Sequence, residues 1–498
     1  MTHFTSAFSL QRPYNRTGTE VFDLSAERIS ELERALESDR GRIINSAAVR
    51  RLQQNTQVFP LERNAAVRSR LTHSLEVQQT GRFIARTLYQ HLGDQAEKMG
   101  LAGLERCVET LVEMACLMHD IGNPPFGHFG EAALSRWFSE HLEALPGFAG
   151  ISPKDPSLPS ALMRELASFE GNAQAIRLIS SLLRLNLTYV QSATVFKYTR
   201  PATEPRPSGD QPLSYLQKKP GYYYTESGFV ADMQQALNMA PGHRHPLAYI
   251  MEAADDIAYC LADMEDGVDK GLLSHIDLAE HLKTEFARQR PDDSDQAHFK
   301  GRSFHDIVDY GLKRAADEPI NREHEFFVWL RVNLIHSLVE HAAHTFIEQQ
   351  EAIGRGDLNR ALLEDGSPCH SVIKTFKNVA LARIFTVPEV ETLELQGYRI
   401  ITGLLDHYHP LLKLSSADFA RLLDGDKKGL LIESRLVKRL PNKHVKAYLT
   451  IRDNTPVGIQ PDQWELYCRC RLIQDMISGM TDQFALDEFH TLSATGPL

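Results

Sequence analysis

The sequence predicts a mainly α protein, and three observations support this. Apolar residues recur three and four positions apart through several long stretches, as on the buried face of a helix. Alternation typical of a strand is weak, and it predicts one short strand at residues 446 to 452. The chain has 498 residues, of which 42% are apolar and 24% charged, as in a globular protein with a large core.

Composition excludes several classes of protein. A net charge of −11 argues against a general nucleic-acid coat. No stretch reaches the apolar length of a membrane span, and the first 30 residues lack the basic start and apolar run of a secretory signal. Six scattered cysteines without zinc-ligand spacing predict free thiols in a reducing compartment. We therefore expect a cytoplasmic protein with no membrane contact.

The chain is expected to open with an N-terminal arm and a first helix, residues 1 to 36, the helix starting near Ser25. Residues 37 to 77 then carry seven arginines, no lysine and four acids. Such a run usually forms a solvated face. It reaches His73, however, and Arg70 lies three residues earlier, on the same face of a helix. A guanidinium beside a metal ligand is suited to binding phosphate.

Residues 117 to 131 are the stretch around which the chain is organised. A His-Asp pair ends an apolar helix, Pro124 and Pro125 prevent its continuation, and a second His follows, with a Glu three residues later. A new helix is predicted to begin near Phe129. A His nitrogen and an Asp oxygen at a helix break suit a divalent cation. The second His and its Glu suit either an N-terminal capping pair or a proton-transferring pair. These four residues are His119, Asp120, His128 and Glu131.

Residues 169 to 198 predict helices, and four prolines between 201 and 212 predict an exposed loop. Pro246 is expected to open the next helix, because proline favours the first turn. Polar residues including Asp255 fall off its apolar stripe, and periodicity alone predicts that they face solvent. Beyond residue 275 we expect further helices, including one over Glu323 to Gln350, and a loop near Arg290 to Arg302.

Taken together, these residues and the short sequence segments near them resemble a known family. The order His73, His119-Asp120, Asp255 resembles the HD superfamily of metal-dependent phosphohydrolases. Short segments elsewhere in the chain look like those of bacterial deoxyguanosine triphosphate triphosphohydrolases. This resemblance extends from about Glu37 to Met480. These segments are Thr56-Gln57-Val58-Phe59-Pro60, Phe169-Glu170-Gly171-Asn172-Ala173-Gln174 and Lys197-Tyr198-Thr199-Arg200-Pro201.

The resemblance implies an HD-domain helical core at residues 37 to 275. It also implies additional C-terminal helices at 276 to 498, which contribute to the nucleoside pocket and to oligomer contacts. Metal ligands would be His73, His119, Asp120 and Asp255, and the catalytic pair would be His128 and Glu131. The implied substrate-binding residues are Arg70, Gln57, Val58, Lys197, Lys219, Tyr259, Asp263 and Glu394.

The resemblance further implies the reaction and its partners. The expected substrate is dGTP, with other dNTPs accepted, and the products are deoxyguanosine and intact tripolyphosphate. The expected cofactor is Mg²⁺ or Mn²⁺, with other transition metals as alternatives, in a homo-oligomer (a tetramer or hexamer). A Glu such as Glu394 suits a guanine edge, although a plain surface Glu is an equal interpretation. Lys427 stands where relatives tend to carry Arg, so no base-stacking role is assigned to it.

Two other functions remain open on sequence alone. A different HD reaction is one, either a nucleoside monophosphate phosphatase or a phosphodiesterase. The arginines and lysines favour a longer phosphate chain over that alternative. A regulator that binds nucleotides or single-stranded nucleic acid through the arginine-rich segment is the other, and the presence of all four implied metal ligands argues against it.

Overall fold

The computed structural model describes residues 4–14, 21–62, 64, 66–152, 155–292 and 298–495. Arg63 of the arginine-rich segment, residues 1–3 and 15–20 of the expected arm, and 293–297 of the expected loop lie outside these ranges. The described part is mainly α-helical, which confirms the predicted fold class, and none of its helices is long and apolar enough to cross a membrane.

The described residues form 22 α-helices. Those of the first half are α1 (Ala26–Ile44), α2 (Ala47–Arg51), α3 (Arg70–Leu92), α4 (Gln95–Met99), α5 (Glu105–Met118), α6 (Gly127–His141), α7 (Leu158–Leu166), α8 (Gly171–Arg177), α9 (Tyr189–Val195), α10 (Ser227–Ala236) and α11 (Pro246–Asp269). Those of the second half are α12 (His275–Gln289), α13 (Phe304–Asp317), α14 (Arg322–Glu348), α15 (Gln350–Arg355), α16 (Pro368–Ala380), α17 (Pro388–Lys413), α18 (Ser416–Leu423), α19 (Glu433–Leu436), α20 (Asn442–Arg452), α21 (Pro461–Ser478) and α22 (Asp482–Leu492).

Short elements complete the described part. Four strands form two pairs: β1 (Arg200–Pro201) lies parallel to β2 (Pro220–Tyr222), and β3 (His298–Phe299) lies antiparallel to β4 (Arg302–Ser303). Two π-helical turns extend helices, at Leu178–Leu182 and Leu381–Phe385. The 3₁₀ turns are Phe4–Ala7, Leu52–Gln54, Leu142–Ala144, Tyr224–Glu226 and Val437–Arg439.

Local chemistry explains where several helices begin. Ser25 caps α1 by accepting a hydrogen bond from the Arg28 amide, as the prediction of a start near Ser25 requires. Pro246 occupies the first position of α11, as predicted. The start of α6 is Gly127, two residues earlier than predicted, because Phe126 takes the left-handed conformation that turns the chain into the helix.

The predicted strand at residues 446 to 452 is wrong, since those residues lie inside α20. Its buried side chains are the consecutive residues Ala447 and Tyr448. They pack one helical face against α21, where the Tyr448 hydroxyl donates to Glu465. A helix presents neighbouring residues to a partner in this way, whereas a strand would send them to opposite faces.

The larger of the two main hydrophobic clusters has α3, α5 and α11 at its centre. Helices α1, α9, α14 and α16 pack around them. The last eight residues of α5, Leu111 to Met118, are all buried, so the chain emerges from this helix inside the protein. The first residue after α5 is His119, which is therefore held in the interior.

The second hydrophobic cluster joins α6 and α7 to α17, α18, α20 and α21. Ile121 belongs to the first cluster and Phe126 to the second, so the turn between α5 and α6 passes from one to the other. The organising stretch is thus anchored at both ends by apolar packing, and its polar residues lie between the two clusters.

Candidate active site

Three of the implied metal ligands meet where α3, α5 and α11 converge. The Nε2 atom of His73 lies 3.4 Å from Asp255 Oδ1, and His119 Nε2 lies 3.5 Å from the same oxygen. Two ligand atoms that each lie about 2.0–2.2 Å from one tetrahedral metal are about 3.3–3.6 Å from each other, close to the two distances seen here. The spacing and the donor types therefore fit a divalent cation held by two imidazoles and a carboxylate.

Asp120 lies beside this group and is held by other side chains. Its Oδ1 is 3.6 Å from His119 Nε2 and accepts a hydrogen bond from Asn123 at 2.7 Å. Its Oδ2 accepts from Arg70 at 2.7 Å. A carboxylate oxygen has two lone pairs, so these contacts orient Asp120 and leave it able to take part in metal binding.

The surroundings of the ligands prepare them for a cation. His119 directs Nε2 inward because its Nδ1 is 2.7 Å from the Cys116 carbonyl. Burial alone would raise the pKa of Asp255, but the charge of His119 and the hydrogen bond with His73 outweigh it and hold that pKa well below its usual range. Asp255 is therefore ionised and able to bind a metal at neutral pH.

His128 and Glu131 form a hydrogen-bonded pair on the first turn of α6. His128 Nδ1 lies 2.9 Å from Glu131 Oε2, while Glu131 Oε1 accepts from the Gly171 amide at 2.8 Å. The bond to Glu131 raises the pKa of His128. Burial would raise the pKa of Glu131, but His128 outweighs it and lowers that pKa. The pair therefore favours a charged imidazole beside an ionised carboxylate.

Gly171 permits the close approach on which this pair depends. A Cβ atom at Gly171 would stand 2.1 Å from Asn123 Oδ1 and 3.1 Å from Glu131 Oε1. Any larger residue would push α8 away from both side chains. The start of α8 thus supports the His128–Glu131 pair and the turn after His119 together.

The parallel pairing of β1 with β2 brings two lysines to the site. Lys197 precedes β1 and Lys219 precedes β2, so the pairing brings both to one end of the ribbon. Lys219 Nζ is 3.1 Å from a Glu170 oxygen, and Lys197 Nζ is 3.9 Å from Asp255 Oδ2. Burial would lower the pKa of Lys219, but Glu170 and Glu131 outweigh it and raise that pKa. Both lysines are therefore cations at neutral pH.

These groups surround one cavity of about 500 Å³. Every site residue implied by the resemblance lines it except His73, which is fully buried behind Asp255. The members not yet described are Gln57, Val58, Tyr259, Asp263 and Glu394. Lys427 is not among the lining residues and lies in an exposed turn.

The polar face of α11 is buried, contrary to the prediction from periodicity alone. Glu252, Asp263 and Asp266 are each at most 2% exposed. Glu252 and Asp266 are neutralised by arginines from elsewhere, Glu252 by Arg244 and Asp266 by Arg68. Burial raises the pKa of Asp263 to about 7. A helix with an acidic face can be buried when its partners supply cations.

Sequence reasoning assigned no role to several residues that build the site. Asn123 orients Asp120, and Glu170 holds Lys219. Arg51 donates to the carbonyls of Ile121 and Asn123, which fixes the turn after His119. Asn123 lies in the stretch from 117 to 131, and Glu170 lies in the segment Phe169 to Gln174 that resembles the family, so these two segments were the available signal.

The lining of the cavity also includes apolar and neutral residues that sequence reasoning left without a role. Four of them, Phe126, Phe129, Leu381 and Phe385, come from the start of α6 and from the turn after α16. Leu381 is 60% exposed and Phe129 37% exposed. Exposed apolar side chains around a cavity suit contact with a flat ring.

The arginine-rich segment is mostly engaged inside the protein. Arg40 pairs with Glu113, Arg51 binds carbonyls, and Arg68 pairs with Glu265 and Asp266. Arg70 is the arginine of this segment that lines the cavity, within the described residues. Within the described part of the segment, Arg42 and Arg50 are the arginines that remain exposed.

Comparison with known proteins identifies the family. The HD domain profile matches residues 70–152, which hold His73, the His119-Asp120 pair and the His128–Glu131 pair. The chain is 54% identical over 496 residues to a probable deoxyguanosinetriphosphate triphosphohydrolase of Pseudomonas aeruginosa. It is 46% identical over 517 residues to the deoxyguanosinetriphosphate triphosphohydrolase of Serratia proteamaculans, and 47% over 518 to that of Yersinia enterocolitica.

In each of these three comparisons, the match covers 99% of this chain and 99% of the relative. The resemblance that the sequence segments indicated is therefore confirmed along the whole chain. The fold, the matched HD domain and these relatives lead to one conclusion: the chain belongs to the bacterial deoxyguanosinetriphosphate triphosphohydrolases of the HD superfamily.

Proposed function

We propose that this protein hydrolyses dGTP to deoxyguanosine and tripolyphosphate. The observation that carries the proposal is a single cavity lined by metal-ligating residues, three cationic side chains and a hydrogen-bonded His–Glu pair. A triphosphate carries about four negative charges, and the cavity offers Arg70, Lys197 and Lys219 to neutralise them. Relatives named for this reaction support the choice of substrate.

His73, His119, Asp120 and Asp255 would hold a divalent cation, for which we propose Mg²⁺ or Mn²⁺. When bound, such an ion supplies Lewis-acid activation of water and of a phosphoryl oxygen. The chain's own task at this point is to keep both carboxylates ionised. Arg70 does so for Asp120, since its charge and that of His119 overcome the effect of burial and lower the Asp120 pKa.

His128 and Glu131 would carry the proton transfer. The charged imidazole would protonate the deoxyguanosine oxygen as its bond to the α-phosphorus breaks. Glu131 keeps the imidazole charged and oriented, and the Gly171 amide keeps Glu131 in place. His128 suits this role because it lines the cavity and its side chain is 83% exposed.

The remaining cavity residues would select the nucleoside. We propose that Gln57 and Val58 pack against the deoxyribose, where a close fit excludes a 2′-hydroxyl. Glu394 would accept hydrogen bonds from the guanine edge, and Tyr259 would contact phosphate with Asp263 beside it. The apolar lining residues Phe126, Phe129, Leu381 and Phe385 would contact any of the bases, which supports weaker turnover of other dNTPs. We also propose that the enzyme is cytoplasmic and assembles as a homo-oligomer, a tetramer or hexamer.

The size and charge of the cavity favour this reaction over a monophosphatase. A single phosphate would be satisfied by the metal and Arg70, which would leave Lys197 and Lys219 without a phosphate to bind. The presence of these two lysines at the end of the β1–β2 ribbon, in addition to Arg70, supports a substrate with several phosphates. Release of orthophosphate from dGMP would favour the monophosphatase instead.

Product analysis tests the proposal directly. Purified protein is incubated with Mg²⁺ or Mn²⁺ and with each dNTP or GTP, and nucleosides and phosphate species are separated by chromatography. We expect deoxyguanosine and tripolyphosphate, mainly from dGTP. Pyrophosphate with dGMP would exclude the triphosphohydrolase reaction and keep the metal site.

Adjacent aspartates provide a matched pair of variants. Asp255→Asn removes a proposed ligand, and we expect activity to fall at least 10³-fold. Asp256→Asn is the control, because Asp256 pairs with Lys377 at 2.7 Å and does not line the cavity. Its activity should stay close to that of the wild type. Equal losses in both variants would contradict the assignment of Asp255.

A further inference from the structure

A second group of metal-ligating side chains lies outside the cavity, where the end of α3 packs against α14. It consists of His91 in the last turn of α3, and of Glu340 and His344, one helical turn apart on α14. His91 Nε2 lies 3.1 Å from Glu340 Oε2, and His344 Nε2 lies 3.9 Å from the same oxygen. One ligand atom from each residue lies within 4.8 Å of the other two.

The arrangement is closer to a metal site than to an isolated surface ion pair. The rings of His91 and His344 have centroids 4.4 Å apart, so two imidazoles approach one carboxylate together. One turn earlier on α14, His336 Nδ1 lies 3.6 Å from the other oxygen of Glu340. Glu340 thus has imidazoles from three histidines on two helices around its carboxylate. A simple ion pair would need one such partner, whereas a metal site needs several ligands close together.

We propose that His91, Glu340 and His344 bind a transition-metal ion such as Zn²⁺. Two imidazoles and one carboxylate suit Zn²⁺, Ni²⁺ or Cu²⁺, and they disfavour Mg²⁺, which prefers oxygen ligands and retained waters. The side chains are 32%, 35% and 54% exposed, so an ion from solution reaches them and water completes its coordination.

Such a site would fasten α3 to α14. Helix α3 carries Arg70 and His73 at its other end, and it packs along α14 within the larger hydrophobic cluster. A metal that binds the folded protein and does not bind the unfolded chain stabilises the folded state by mass action. The role is structural, so it does not depend on which substrate the cavity takes.

The test counts bound Zn²⁺ in protein whose active-site ligand set has been broken. In a His119→Ala background, equilibrium dialysis and elemental analysis should find one Zn²⁺ per chain. Adding His344→Ala should reduce that to none. Adding His341→Ala instead is the control, because His341 is on the same helix but bonds Asp365 at 2.6 Å, and one Zn²⁺ should remain.

Thermal unfolding gives a second measurement that does not rely on activity. In the His119→Ala background, saturating Zn²⁺ should raise Tm by about 2–3 °C, and the rise should disappear with His344→Ala and persist with His341→Ala. If that background fails to fold, wild type and His344→Ala are compared, and two bound ions should become one. Zn²⁺ binding and a Tm rise that are unchanged by His344→Ala would overturn the proposal.

Discussion

At the scale of single residues, His128 and Glu131 act as one unit because Glu131 is fixed from two sides. Its Oε2 contacts His128, and its Oε1 accepts from the Gly171 amide. The bond to Glu131 raises the pKa of His128. A general acid works while it holds its proton, so the activity should fall as the pH rises through this raised pKa.

Glu131→Gln is expected to reveal this coupling in the pH profile. The amide removes the negative charge that raises the His128 pKa, so the alkaline fall in kcat should move to lower pH, and kcat should also decrease. His128→Ala should lower kcat by about 10²–10⁴-fold and abolish that limb. An alkaline limb that does not move in Glu131→Gln would show that His128 is not the titrating acid.

Neighbouring lysines offer a second residue-scale prediction. Lys219 lines the cavity, whereas Lys218 is not among the lining residues, and its Nζ lies over the Tyr215 ring, 3.9 Å from the ring centroid. Because a charge-assisted bond to phosphate is lost, Lys219→Met should raise the KM for dGTP by about 10- to 100-fold. Lys218→Met should leave KM within about twofold. Steady-state kinetics on both variants decides, and similar KM values in the two would refute the assignment.

Residues with a chemical signature could be placed from the sequence, and those with a positional role could not. His119 and Asp120 stand out because few structural reasons put that pair at a helix break. Nothing local indicates that the Asn123 amide will donate to Asp120, or that Arg51 will reach the Ile121 carbonyl. Such contacts depend on how distant elements approach each other.

At the scale of elements, α22 reaches back to hold two segments of the cavity wall. Asp482, its first residue, accepts from the Thr56 amide at 3.0 Å and hydroxyl at 2.9 Å. Its other oxygen accepts from the Phe126 amide at 3.0 Å. The segment before α3 and the turn before α6 are therefore tied to the same side chain, about 350 to 430 residues away in sequence.

Asp482→Ala should loosen both segments. Losing these bonds leaves two partly buried backbone amides without partners, so we expect the protein to lose about 1–3 kcal/mol of unfolding free energy. KM for dGTP should rise as well, since Gln57 follows Thr56 directly and His128 lies two residues after Phe126. Asp487→Ala on the exposed side of α22 is the control. Urea unfolding with kinetics checks both effects, and a lost stability without a change in KM would limit Asp482 to a structural role.

Helix prediction succeeded where an apolar stripe was continuous and failed where burial depended on distant partners. The stripe of α11 predicted its helix, yet its acidic face was assigned to solvent, because Arg244 and Arg68 come from other segments. The weak alternation at 446 to 452 misled for a related reason. The packing of this stretch against α21 determines that it is a helix. The sequence of the stretch alone does not show that α21 will lie beside it.

At the scale of the whole molecule, a buried ionic network joins the two hydrophobic clusters. Arg177 follows Ile176 of the first cluster, and Asp475 lies between Ile473 and Met476 of the second. Arg177 Nη2 is 2.7 Å from Asp475, and its Nη1 is 3.0 Å from Glu226. All three side chains are almost completely buried. The network therefore ties the two clusters together through charged groups that are shielded from solvent.

Asp475→Asn should therefore destabilise the entire protein. Removing one charge of a buried pair costs about 3–5 kcal/mol at neutral pH. Burial would raise the pKa of Asp475, but Arg177 outweighs it and lowers that pKa in the folded state. The stabilisation is consequently complete above the unfolded-state pKa of about 3.9, and it is lost as the pH falls through the lower folded value.

Denaturant unfolding of the wild type and Asp475→Asn across pH tests this sign. The difference in unfolding free energy should be constant between about pH 5 and 8 and should shrink only in more acidic solution, where the wild-type carboxylate gains its proton. Asp453→Asn is the control, because its carboxylate is 71% exposed and pairs with Arg452 at the surface. A difference that shrank already between pH 8 and 5 would mean that Asp475 is not held ionised by Arg177, and the network would then join the clusters by shape alone.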